Sequence, residues 1–181
     1  MELKEAVLTR RSIRQYTGEP VSAEDIQAII SLARYAPSWK NTQTPRYTLV
    51  TDRALLDRIA TEGMEGFTPN TETLKGAPAL VIQSMRTGIS GYERDGSPTT
   101  GLGTHWQSFD AGIAAQTFCL IAREMGLGTL IMGIFDGAKI AALINLPEEE
   151  TVSALLVVGH PASEPPVPKR KDVETLLRIR A

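Results

Sequence analysis

Apolar side chains recur along this chain with two different periods, and the alternation between them predicts its elements. Leu3, Ala6, Val7 and Arg10 stand at helical spacing and predict a short first helix that ends near a group of arginines. Ser22 followed by Asp25 matches a capping box, in which each side chain accepts from an N–H left unpaired at a helix start. Ile26, Ile29, Ile30 and Ala33 then form one apolar face, and Pro37 stops that helix. Tyr47 to Val50 reads as a strand, and Asp52 opens a helix carrying Leu55, Leu56 and Ile59. Ala79 to Ile82 is a short apolar run suited to a buried strand. Periodicity disappears over 86–104, where Gly88, Gly91, Gly96, Pro98, Gly101 and Gly103 punctuate the chain. A loop that long in a compact domain is a lid, a binding loop or disordered.

The stretch from Trp106 to Met125 contains AGIAAQTFCLIA, apolar or small almost all round. Such a helix is either the centre of the core or packed against a second subunit. Gly126 and Gly128 end it. Thr129 to Met132 is the next strand, Asp136 starts a helix with Ile140, Leu143 and Ile144, and Val152 to Val158 is a final buried strand. Pro161, Pro165, Pro166 and Pro168 mark an extended arm over 161–181, which ends in a short helix with Leu176, Leu177 and Ile179. Helices and strands interleave, but their connections are too irregular for a doubly wound repeat. The expectation is one α+β domain over 1–181, a small mixed sheet enclosed by helices around one long buried helix.

Composition narrows the function. The chain has 181 residues, 42% hydrophobic and 22% charged, enough for one domain with a real core. A net charge of −2 gives no global support for binding nucleic acid or an anionic membrane. The lone Cys119 excludes an intramolecular disulfide and fits a reducing compartment. The start, MELKEAVLTRRS, lacks the apolar core of a signal peptide, and no apolar run reaches the roughly 18 residues of a membrane span. The expected location is the cytoplasm. The distribution of charge says more than its sum. Arg10, Arg11 and Arg14 cluster near one end, and Lys169, Arg170 and Lys171 near the other.

The usual side-chain chemistry is missing. There is no phosphate-binding GxxxxGK[ST], and GLG at 101–103 and 126–128 lacks the third glycine of a dinucleotide turn. His105, His160 and Cys119 stand singly, without metal-ligand spacing; Cys119 reads as packing and His160, before Pro161, as a turn residue. A cofactor is therefore expected to carry any reaction. Two segments could hold one. RRSIRQY, Arg10 to Tyr16, groups three guanidiniums with the Ser12 hydroxyl, which is either a phosphate site or a solvated basic turn. PSWKNTQ, Pro37 to Gln43, sets Trp39 beside Asn41 and Gln43. It suits a flat heterocycle bearing donors and acceptors, or a loop whose Trp covers the core.

Taken in order, RRSIRQY, APSWKNTQ, FDAGIAAQTF…GLGT, IMGIFD and KRKDVE resemble the nitroreductase family over essentially the full length. The resemblance implies an α+β fold, an intertwined homodimer and FMN at the subunit interface. It also implies an NADH- or NADPH-oxidising enzyme that passes electrons to a nitro compound, quinone or similar acceptor by a ping-pong mechanism. Arg10, Arg11 and Ser12 match the family's phosphate-contacting turn, and Arg14 the basic residue near the flavin N1/O2 edge. Pro37, Ser38, Trp39 and Asn41 match the loop laid over the flavin by the partner subunit. Met132, Gly133 and Ile134 match a segment whose backbone N–H groups face N5 and O4. Arg170 and Lys171 match the C-terminal phosphate contacts. The chain departs from the family after Gln43, with Thr44-Pro45-Arg46-Tyr47 where many members have Pro-Trp. The 86–104 loop, with Tyr92, Glu93, Arg94 and Asp95 near its middle, is where such enzymes vary and where the acceptor is expected to be chosen. Three other readings stand beside this one: a relative specialised for reductive dehalogenation or flavin fragmentation, a flavin-binding sensor without turnover, and a helical interaction protein.

Overall fold

In the computed structural model, which describes residues 1–180, four strands form one sheet in the order β1-β2-β4-β3. In chain order the elements are α1 (Leu3–Thr9), α2 (Ala23–Ala33), β1 (Pro45–Val50), α3 (Arg53–Glu62), α4 (Thr68–Lys75) and β2 (Ala79–Arg86). They continue with α5 (His105–Glu124), β3 (Gly128–Met132), α6 (Gly137–Leu143), β4 (Glu150–Gly159) and α7 (Val173–Leu176). The expected mixed sheet is corrected in one respect. All three strand pairs are antiparallel, and the parallel component is a single bridge between Ser12 and Thr129.

The local signals act as their chemistry requires. Ser22 accepts from the Asp25 N–H at 3.0 Å while Asp25 accepts from the Ser22 N–H at 3.1 Å, closing the capping box of α2. Asp52 and Asp136 cap α3 and α6 through the N–H groups of Leu55 and Lys139. The central strands alternate between two cores. Leu80, Ile82, Leu155 and Val157 pack with Leu56, Ile59, Leu74 and Ile140 on one face of the sheet. Ala79, Val81, Leu156 and Val158 pack with Ile26, Ile29, Ala115 and Phe118 on the other.

Helix α5 is buried along one face and not all round. Asp110, Ala111, Ala114, Ala115, Phe118, Cys119 and Ala122 lie inward, whereas Ser108, Phe109, Gly112 and Gln116 are exposed on the single chain. Burial pushes the Cys119 thiol above its ordinary value, in keeping with a packing role. Helix α4 has no apolar periodicity to announce it. Its buried side chains are Asn70, Thr73 and Leu74, and Pro69 stands in its first turn. Among the described residues, no helix is long and apolar enough to cross a membrane.

Candidate functional site

The basic turn becomes a ribbon along the β3 edge of the sheet. The Ile13 N–H donates to the Thr129 carbonyl at 2.9 Å, and the Thr17 N–H donates to the His160 carbonyl at 3.0 Å. The Tyr16 hydroxyl closes the ribbon on itself through the Ile13 carbonyl at 2.8 Å. Two glycines make this approach possible. A Cβ on Gly128 would stand 2.5 Å from Ile13, and one on Gly159 would stand 2.6 Å from the Tyr16 ring. Burial raises the Tyr16 phenol well above its ordinary value, while the nearby Arg14 charge pulls it down. The arginines are not equivalent. Arg11 donates to the carbonyls of Leu8 and Arg10 at 2.7 and 2.8 Å, closing the end of α1. Arg10 is half-buried and Arg14 exposed, and among the described residues neither guanidinium has a hydrogen-bond partner.

The segment after β3 lies on the same edge. Met132 is buried in the core and paired with Leu155, so its side chain is structural. Gly133 and Ile134 are exposed, and among the described residues their N–H groups donate to nothing in the chain. Nothing lies within 4 Å of where a Gly133 Cβ would stand, which leaves room for a flat group against this backbone. Asn70 of α4 donates to the Ile134 carbonyl at 3.2 Å, and the Asp136 N–H donates to the Gly63 carbonyl at 2.8 Å. These bonds hold the peptide planes in place. An adjoining cavity of about 300 Å³ is lined by Ile131, Ser108, Gly112, Ala115 and Gln83, so β3 and the open face of α5 share it.

Pro37, Ser38, Trp39 and Asn41 form a second centre, against the N-terminal half of α5. The Trp39 N–H is shared by the two carboxyl oxygens of Asp110, at 3.1 and 3.0 Å. The Trp39 ring packs on Trp106 with centroids 4.7 Å apart, and its Nε1 is buried without a partner. Lys40, Asn41 and Gln43 all have positive φ, at 45°, 57° and 49°. Left-handed non-glycine residues cost about 1–3 kcal/mol each, so the loop persists because its surroundings hold it. One such hold is the Gln43 N–H, which donates to Ser38 Oγ at 2.9 Å. Gln43→Gly should relieve that strain and raise unfolding free energy by about 0.5–1 kcal/mol in chemical denaturation. A loss of stability would show that the side chain holds the turn.

Within one chain, Arg10 to Arg14 and Gly133–Ile134 share the β3 edge. Among the described residues no hydrogen bond or ion pair joins them to the Pro37–Asn41 loop. The C-terminal cluster stays apart too: Arg170 donates only to the Pro168 carbonyl, at 3.1 Å, and Lys171 is exposed. Two positioning residues escape the sequence reading. Asn70 carries no local signal. Asp110 carries one, because a lone carboxyl inside an apolar helix has to find donors.

These features define a class: an α+β protein with an antiparallel sheet, one edge of which carries guanidiniums and open backbone donors. Residues 7–160 match the profile described as Nitroreductase family, and the chain belongs to the nitroreductase family. It is similar to an NADH dehydrogenase of Thermus thermophilus, 28% identical over 183 residues, covering 91% of this chain and 89% of that protein. It is also similar to an NADPH-flavin oxidoreductase of Vibrio harveyi, 30% identical over 173 residues, covering 92% of this chain and 68% of that one. A solved protein from Desulfovibrio desulfuricans, crystallised in complex with FMN, shares the fold with a TM-score of 0.81 at 24% identity. That likeness covers 100% of this chain and 98% of the other.

Proposed function

We propose that this protein is an FMN-dependent oxidoreductase that takes hydride from NADH or NADPH and passes electrons to a nitro compound, quinone or similar acceptor. The observation that carries the reading is the β3 edge, where the ribbon bearing unpartnered Arg10 and Arg14 pairs with β3 and the free N–H groups of Gly133 and Ile134 follow directly after it. The donor set suits FMN, which has an anionic phosphate and a flat ring whose N5 and O4 accept hydrogen bonds. The names of the relatives point the same way. FMN, when bound, supplies the two-electron chemistry. Arg10 and Ser12 would hold its phosphate, Arg14 would face the N1/O2 edge, and Gly133 and Ile134 would donate to the ring. Arg11 would have to give up two carbonyls to join them, so it ranks below Arg10.

The same reading includes a homodimer in which the Pro37–Asn41 loop, Arg170 and Lys171 of one chain complete the site of the other. Two observations support it. The open face of α5 exposes Phe109 by 59%, and the C-terminal segment exposes Leu176 by 70% and Ile179 by 82%. Apolar surface of that kind favours association.

The test is an absorbance spectrum of the purified protein before and after anaerobic NADH or NADPH. The flavin band should bleach, and heat should release FMN rather than FAD, because no dinucleotide turn is present to hold a pyrophosphate. A protein that stays colourless after incubation with FMN would overturn the reading. Parallel initial-rate lines are expected with a quinone acceptor, because NAD(P)⁺ and acceptor would use one open face in turn. Intersecting lines would rule out that order of events.

A further inference from the structure

Asp110 ties together two loops that are distant in sequence. It is 3% exposed on the inner face of α5. Its carboxyl accepts the Trp39 N–H through both oxygens, and the Ser90 hydroxyl donates to Oδ2 at 2.7 Å. Ser90 is itself fully buried in the loop between β2 and α5. Among the described residues no cation pairs with Asp110, so these two donors carry the stabilisation of a buried carboxyl. Losing either leaves a costly, partly unsatisfied group.

Weaker links run in parallel. Trp106, against which Trp39 packs, donates from Nε1 to Thr100 Oγ1 of the same loop at 2.9 Å. Lys40 pairs with Glu93 at 3.2 Å, with both side chains about half exposed. An exposed pair of that kind is screened by water and contributes little, so the buried node is the dominant link. The strained backbone at Lys40, Asn41 and Gln43 makes the arrangement responsive. A loop held away from its preferred conformation relaxes when its anchor weakens.

We propose that Asp110 is a positioning residue that couples the β2–α5 loop to the Trp39 loop. A change in the first shifts the geometry of the second. Given the assignment of Pro37–Asn41 to the cofactor in the proposed function, on which this rests, the conformation of the β2–α5 loop and the binding of FMN then influence each other reciprocally.

The experiment compares wild type, Ser90→Ala, Ser90→Thr and Asp110→Asn, first without flavin. Hydrogen exchange at the Trp39 amide is followed against reference amides in β2 and β4. Ser90→Ala should speed Trp39 exchange by about tenfold, the loss of one hydrogen bond to a charged acceptor, and leave the reference amides unchanged. Ser90→Thr keeps the hydroxyl and should restore slow exchange. The circular-dichroism signal of the tilted Trp39–Trp106 pair should weaken in Ser90→Ala and in Asp110→Asn and be retained in Ser90→Thr. Unchanged Trp39 exchange in Ser90→Ala, whatever Asp110→Asn does, would reduce Asp110 to a local anchor and overturn the coupling. Acceleration at every amide would do the same, because it would mark a general loss of stability. In the FMN-loaded protein Ser90→Ala should also raise the FMN Kd several-fold, about the effect of one lost hydrogen bond. If the wild type binds no FMN, the proposed function fails, while the flavin-free comparison still decides the coupling.

Discussion

Arg10→Ala is expected to weaken FMN binding by about 1.5–3 kcal/mol, roughly ten- to a hundred-fold in Kd, the range for hydrogen bonds to a charged group. The ribbon that carries Arg10 is fixed by Gly128, Gly159 and the Ile13–Thr129 hydrogen bond, so the guanidinium is presented from a rigid edge. It has no competing partner among the described residues, and little is spent on freeing it. Arg11→Ala provides the contrast. Arg11 already serves the Leu8 and Arg10 carbonyls, so its loss should fray α1 and cost FMN affinity less. Fluorescence titration of flavin-free protein with FMN measures both. Unchanged affinity in Arg10→Ala would remove the ribbon from the phosphate site.

Arg14→Gln is expected to lower the flavin midpoint potential by about 30–60 mV. Reduced flavin carries negative charge near N1 and O2, and a fixed guanidinium there stabilises it more than the neutral oxidised ring. If losing the charge costs the reduced form about 1.5–3 kcal/mol more than the oxidised form, the two-electron potential falls by that amount. Arg14 is exposed on the single chain, and the charge it exerts on Tyr16 is unshielded by any carboxylate partner among the described residues. The effect therefore depends on flavin and a second subunit excluding water from the guanidinium. Reduction by NAD(P)H should slow, and the reduced enzyme should become a stronger donor. Potentiometric titration of FMN-saturated wild type and variant decides the matter. An equal midpoint in both, with flavin fully bound, would take Arg14 out of the mechanism.

The elements legible in the sequence are those whose signals are local. The Ser22–Asp25 box, the Asp52 and Asp136 caps, and the apolar faces of α2 and α3 act between residues three or four apart, so pattern alone reveals them. The apolar runs of β2 and β4 are legible because central strands bury both faces, and that of β3 because all its residues but Ile131 are buried although it lies at the edge. Their ends are not: β2 continues to Arg86 because Gln83 and Ser84, polar and buried, find partners in the Ala111 carbonyl and Glu150. Helix α4 was hidden for the same reason. Asn70 belongs inside only because the Ile134 carbonyl, far along the chain, is there to accept from it.

The candidate site divides along the same line. That three arginines lie beside a serine, and a tryptophan beside carboxamides, is sequence information. That Arg11 turns back onto α1, that Met132 is core while Gly133 is open, and that Asp110 joins two loops were decided only when the chain closed. The antiparallel course of the sheet and the choice of which face of α5 to cover belong with them. Periodicity states that a face is apolar, but the surface that covers it, and the donor that meets a buried carboxyl, are set by long-range packing.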